Sequence, residues 1–487
     1  MLFGSQHFIL VFLPACLAGC FLLARHAGGE WPLRWVVACS LVFYGAWDPR
    51  FVPLLLGSIL ANYALGARLH ALAEAGRARD VRWMLAAGIA GNLALLGWFK
   101  YAGMLARTFA LPVPEVVLPL AISFFTFQQI MYLADSARRE APRGGLLPYM
   151  GFVSFFPHLI AGPIVRPREI MPQFTASRFG RFDADDLTAG ITLFLLGLAK
   201  KLVLADSFAP FADAGFDAAA RGAPLTFFEA WYALLAYGLQ IYFDFSGYSD
   251  MAIGLARMLG VRFPLNFDSP YRSASIAAFW RRWHITLGAF LRDYVYIPLG
   301  GNRRGAWRRA GNLMATMLLG GLWHGAAWTF VLWGGLHGLF LMVHAGWSRI
   351  GAPALWRPAA QGLTLLAVLL AWVPFRAQGM AATGDMLRGL AGLNGVALPQ
   401  LLVTAWPALG AVAAPVPVLL HLGDARTLSF PEATICLALG WGIALFAPPV
   451  HRLTERAQAA ALTAGFALSV QALFFSRAVA PFLYFRF

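Results

Sequence analysis

GLWHGAAWTFVLWGGLHG, residues 321–338, sits inside a run from Gly311 to Trp347 that holds no Asp, Glu, Lys or Arg. A polar ring placed in such a run works in or beside a bilayer. Polar groups at membrane depth are costly and usually face a protein interior or a water-filled path. His324 is therefore either a structural group bonded to a neighbouring helix or a working imidazole, the commonest general base near neutral pH. As one straight helix the run would be about 55 Å long, against a hydrocarbon core of about 30 Å. It must be steeply tilted, kinked or divided, and Gly320, Gly321, Gly325, Gly334 and Gly335 offer the break points. On a continuous helix His337 and His344 share one stripe that lies away from the face of His324, which argues against a single metal site.

The rest of the chain has the same character. It is 59% hydrophobic and only 13% charged over 487 residues, where soluble domains carry about 25% charged residues. The net charge is +15 with only three lysines, Lys100, Lys200 and Lys201. The arginines lie in short segments between apolar runs, which reads as topology signal and contact with anionic lipid, not as nucleic-acid binding. Apolar segments occur near 8–24, 35–47, 51–69, 83–101, 117–134, 147–164, 187–205, 225–246, 311–347, 360–375, 400–420, 432–448 and 457–476. The expected fold class is all-α, a polytopic helical bundle of eleven to thirteen hydrophobic segments in a single domain over 1–487. The first run has no charged leader and no small-residue cleavage site, so it reads as an anchor. The Arg-rich segments 25–34, 68–82, 136–143 and 262–309 count as cytoplasmic, and the C-terminus then falls outside. The four Arg residues of 163–181 fit this count only if 147–165 is re-entrant, with Pro157, Gly162 and Pro163 interrupting its helix. Cys16, Cys20, Cys39 and Cys436 have no disulfide or zinc spacing and read as packing residues; no metal is expected.

Two further stretches carry chemistry. FWRRWHITLGAFLRDYVYIPLGG, residues 279–301, interleaves apolar and aromatic side chains with Arg281, Arg282, Arg292 and His284. It suits an amphipathic helix at the cytoplasmic interface, whose guanidinium groups also match the phosphates of an anionic cosubstrate. IYFDFSGYSDMAIGLARMLGVRFPLNFDSPYRS, residues 241–273, places Asp244 and Asp250 at the end of an apolar run. Carboxylates there are costly unless paired or wet, and structural pairing is the favoured reading.

SFFTFQQIMYLAD (123–135), FFPHLIAGPIVRPREIMPQF (155–174), YFDFSGYSDMAIGLARMLG (242–260), the 279–301 segment and GLWHGAAWTFVLWGGLHG together resemble the membrane-bound O-acyltransferase family, in its bacterial alginate O-acetyltransferase-like branch. The likeness is strong over 35–350 and returns in PFLYFRF at 481–487. It implies a helical bundle with a central tunnel between cytoplasmic and extracytoplasmic funnels. It also implies two functional histidines, which fall on His324 and His284, a cytosolic acyl thioester as donor and an extracytoplasmic acceptor.

The resulting expectation is a multi-pass enzyme of the bacterial inner membrane. It would pass acetyl groups from acetyl-CoA, a substrate and not a bound cofactor, to an alginate-like or other surface polysaccharide. His324 is the candidate base, His284 the second catalytic residue, Arg281, Arg282 and Arg292 the phosphate contacts, and Trp280 and Trp328 further substrate-binding residues. Tyr484, in an aromatic tail expected outside, is either part of an interfacial anchor or an acyl relay. The resemblance also implies an extracytoplasmic partner, a second acetyltransferase or SGNH-hydrolase-like protein. D-alanyl transfer onto teichoic acid and a non-enzymatic polysaccharide transporter are the alternatives.

Overall fold

A computed structural model describes residues 1–112, 116–303, 305–351, 353–411, 414–416, 430–453, 462, 463, 465–467, 469, 470, 482 and 483. Helix dominates it, as expected; the exception among the described residues is a three-residue parallel pairing of Ala397–Pro399 with Ala414–Val416. Six helical stretches among these residues are long and apolar enough to cross a membrane: Phe8–His26, Pro49–Glu74, Ala78–Phe109, Ala184–Ala220, Trp328–Arg349 and Arg357–Arg376. Their outward faces carry exposed Leu10, Val11, Leu22, Leu60 and Leu363. Lipid is the solvent in which such a surface costs nothing. The apolar segment near 400–420 is no span where it is described; it breaks into the short helix Gln400–Ala405, the turn Pro407–Ala411 and the strand residues. That of 457–476 lies largely outside the described residues.

The chain groups into two compact units. The first holds residues 1–199, 247–266 and 455–484. Its helices are pinned by devices that work without a hydrophobic driving force. Asn62, Asn92, Gln129 and Ser58 form a buried amide network across three helices, with Asn92 Nδ2 donating to Asn62 Oδ1 at 2.7 Å and Asn62 Nδ2 to Gln129 Oε1 at 2.9 Å. Glycines bring backbones together. A Cβ on Gly190 would lie 2.7 Å from Gly254 O, and one on Gly197 2.5 Å from Gly247 O. The interruption expected within 147–165 is present. Leu146–Ser154 ends at Phe155, which leaves helical geometry, and Phe156–Leu159 restarts with Pro157 in its first turn. Residues 151–165 are all buried, as irregular backbone in such a chain must be.

The second unit holds residues 200–246, 267–454 and 485–487. The DFSGYSD stretch does not follow a helix but lies inside one, Phe227–Met258. Asp244 is paired with a lysine, as its cost at that depth required. Lys201 Nζ lies 2.7 Å from Asp244 and 2.6 Å from Asp206, with Lys201 and Asp244 both buried.

Candidate active site

The Gly311–Trp347 run divides into two helices, Gly305–His324 and Trp328–Arg349. The break falls at Gly325–Ala327, one of the places the glycines allowed. Ala327 is extended, and a side chain on Gly325 would collide with the Phe330 ring. The second helix then packs back along the first with almost no space between backbones. A Cβ on Gly334 would strike Met317 O, one on Gly321 would strike Phe330 O, and one on Gly338 would lie 2.8 Å from Met314 Sδ. His324 is the last residue of the first helix, 4% exposed. Trp323, Trp333 and Phe375 surround its ring with centroids at 4.9, 5.0 and 5.2 Å, Trp333 and Phe375 edge to face.

His284 comes to the same place by a different route. Residues 279–301 do not form the single amphipathic helix that their pattern suggested. Ile276–Trp280, capped by Ser275 Oγ accepting from Ala278 N at 3.2 Å, stops after five residues. His284 adopts left-handed backbone, φ 44° and ψ 53°, and its carbonyl accepts from Gly288 N to open the helix Ile285–Phe290. For a non-glycine residue this costs about 1–3 kcal/mol and persists where packing over-determines it. Here Trp283 supplies that packing, buried among Phe267, Phe279 and Trp372 at 5.0–5.6 Å. The turn leaves Arg281 exposed and Arg282 half-buried while sending the next two rings inward. The fully buried His284 ring meets Phe245 edge-on at 4.7 Å and lies 6.4 Å from the His324 ring. Burial pushes its imidazole down to about 3, so it is neutral at pH 7.

His337 joins this cluster, against the reading that placed it on a separate stripe. That reading carried one helical phase through the whole run; the break at 325–327 resets the phase and reverses the chain. His337 is fully buried, 4.8 Å from the Trp333 ring, and its Nδ1 accepts from Trp280 Nε1 at 3.3 Å. Trp280 thus contacts the cluster. Trp328 is half exposed at the start of its helix. Arg292 is exposed and bound to Asp293 at 2.6 Å, so a phosphate there must compete with that carboxylate. Tyr484 lies outside the described residues, but Phe482 just before it is buried and stacks on Tyr248 at 4.5 Å. No cluster of three His, Cys, Asp or Glu suited to a metal occurs among the described residues. Sequence reasoning missed Trp333, Phe375 and Trp372 as walls. Trp333 lay in the quoted motif, whereas the other two lie where only hydropathy was legible.

This chain belongs to the membrane-bound O-acyltransferase family, whose profile matches residues 88–381 and so includes both histidines. It is an acyltransferase and a multi-pass membrane protein. It is 41% identical over 436 residues to the peptidoglycan O-acetyltransferase of Helicobacter pylori, covering 82% of each chain. It is 40% identical over 401 residues to the Pseudomonas aeruginosa protein named "Probable alginate O-acetylase AlgI", covering 80% of this chain and 75% of that one. The teichoic acid D-alanyltransferase of Bacillus subtilis is more distant, 27% identical over 270 residues and 53% of this chain. Acyl transfer is therefore the activity class, and the transporter reading falls away.

Proposed function

We propose that this chain is a bacterial inner-membrane O-acetyltransferase. It takes acetyl groups from cytosolic acetyl-CoA and delivers them across the bilayer to an extracytoplasmic polysaccharide. The observation that carries the reading is the buried His324–His284 pair, its rings 6.4 Å apart in an aromatic cage. Relatives named for acetylating peptidoglycan and alginate, at 41% and 40% identity, supply the acyl group and the acceptor class.

The His324 ring takes the proton of an acceptor hydroxyl as that oxygen attacks the thioester carbonyl. The C–S bond breaks, and the departing thiolate recovers the proton from the imidazolium. Acetyl ester and free CoA thiol are the products, and nothing is oxidised or reduced. Such base assistance is typically worth about 10²–10⁴-fold. His284, neutral and buried against the same cage, orients the donor. Arg281, Arg282 and Arg292 meet the phosphates of CoA, with Trp280 and Trp328 as further donor contacts. In this scheme the C-terminus is extracytoplasmic, and Tyr484 relays the acetyl group to a separate periplasmic or surface transferase. A phenyl ester passes its acyl group on easily, because phenol has a pKa of about 10.

The donor is tested by supplying membranes containing the protein with radiolabelled acetyl-CoA or with a D-alanyl carrier-protein thioester. Label leaving acetyl-CoA alone, and only when an acceptor is present, is the expected result. Transfer from the carrier thioester alone would move the chain to teichoic acid chemistry.

A further inference from the structure

We propose that Trp333 and His337 donate hydrogen bonds to the acyl carbonyl oxygen of the donor and hold its negative charge during transfer. The proposal rests on the acyl-transfer reading above and adds to it the group that stabilises the oxyanion.

The tautomer of His337 decides which of its nitrogens donates. An indole N–H can only donate. Because Trp280 Nε1 points at His337 Nδ1 at 3.3 Å, Nδ1 must be the accepting nitrogen. The neutral ring then carries its hydrogen on Nε2. That Nε2–H finds no acceptor among the described residues, and neither does the Nε1–H of Trp333. Both side chains are buried, at 0% and 1% exposure, and their rings are in contact at 4.8 Å. Buried polar groups in native proteins are nearly always matched, so each exception calls for an explanation. Elsewhere in this unit a costlier set, Lys201 with Asp206 and Asp244, is closely paired. Other buried donors of this unit, Trp372 Nε1 and Trp441 Nε1 among them, also find no acceptor among the described residues. Trp333 and His337 are singled out by their contact with each other and by the place of Trp333 against the His324 ring.

Their chemistry selects the ligand. Both atoms are N–H groups, so neither can bind a metal ion or accept a proton; each needs an acceptor. Both are uncharged, so they suit a carbonyl oxygen better than a full phosphate, which guanidinium groups hold more strongly. Trp333 also stands edge-on to the His324 ring at 5.0 Å and 86°. The carbonyl attacked with help from His324 is the small acceptor that belongs beside it. Donors fixed before the reaction at the place where charge develops lower the barrier without reorganising. Tryptophan and histidine here are locked by packing, with Trp372 and Phe375 against the Trp333 ring at 6.0 and 5.1 Å.

Trp333→Phe keeps an aromatic ring and deletes the N–H together with the pyrrole ring that carries it. Acetyl transfer from labelled acetyl-CoA should lose about 10–1,000-fold in kcat, the range ending at the upper figure for one oxyanion donor, with KM within about threefold. The Tm should fall modestly, because the smaller ring leaves a cavity, so kcat is compared per folded protein. His337→Phe tests the other donor by the same kcat readout, but it also removes the acceptor of Trp280 Nε1, so its Tm should fall. A third readout needs no turnover: an acetyl-CoA analogue with a CH2 in place of sulfur presents the same oxygen as a ketone. Its carbonyl stretch, read by isotope-edited infrared in the bound state, should lie lower in wild type than in either variant. Unchanged kcat in both variants, or an unshifted carbonyl stretch, overturns the proposal. A His324→Ala variant assayed alongside separates the two ideas. If it is inactive while Trp333→Phe and His337→Phe are normal, only the oxyanion assignment fails. If His324→Ala is active, the acyl-transfer reading of the site fails.

Discussion

At the scale of single residues, the candidate site is two histidines buried in rings, and placing them there is costly. His284 holds left-handed backbone and a neutral ring at full burial. Its folded-state pKa of about 3 lies below the ordinary value of 6.5. Below pH 6.5 the unfolded chain takes up a proton at this residue that the folded chain refuses. The contribution to stability is therefore complete above pH 6.5 and is lost progressively as pH falls toward 3. Thermal unfolding of the detergent-solubilised protein should show Tm dropping between pH 7 and pH 5, and dropping less in His284→Phe. Equal drops in the two proteins would assign the acid sensitivity to other groups. His284→Ala should also lower acetyl transfer, though less completely than loss of His324.

At the scale of elements, the hairpin Gly305–His324 with Trp328–Arg349 aims the histidine, and it depends on glycines more than on any large side chain. Gly334→Val should either prevent accumulation of the protein or separate the two helices and abolish activity, because its Cβ has no room beside Met317 O. Normal expression with normal kcat would show that the helices do not need this close approach. The paired Lys201 makes a second test. Lys201→Met strands the buried Asp244 and should cost about 3–5 kcal/mol, read as a fall in Tm; adding Asp244→Asn should restore part of it. A single variant as stable as wild type would contradict the pairing. The existence of the helices, the need to break the 311–347 run, and the interruption within 147–165 were all legible in the sequence, since they follow from apolar length and from Gly and Pro. The position of His337 was not. A helical wheel assumes one continuous phase, and three residues at 325–327 suffice to reset it. The break at His284 was hidden for a related reason: alternating Arg and Trp looks amphipathic whether the chain runs straight or turns.

At the scale of the whole molecule, the Arg distribution predicts a cytoplasmic location for the 262–309 stretch, which meets the donor in the proposed scheme. Trp307 is 92% exposed. Trp307→Cys should react with an impermeant thiol reagent only when the cytoplasmic face is opened; labelling of intact cells would reverse the topology. Charge removal at Arg281 and Arg282 together should raise the KM for acetyl-CoA more than that for acceptor. Tyr484→Phe should keep donor binding but lose transfer to polymer; normal polymer acetylation would make the tail an anchor. The family was legible because several long motifs occur in order, and those motifs held the two histidines whose rings the structure brings to 6.4 Å. The residues lining the cage from Trp372 and Phe375 were not, because beyond residue 350 the sequence offers only hydropathy. The central claim, that His324 is the base for acetyl transfer to a surface polysaccharide, is tested most directly in cells whose only copy of the gene carries His324→Ala. The ester-linked acetate on their exported polysaccharide is measured against wild type at matched membrane abundance of the protein. Acetate at the level of a strain lacking the gene is the expected result; acetate at the wild-type level would contradict a catalytic role for His324.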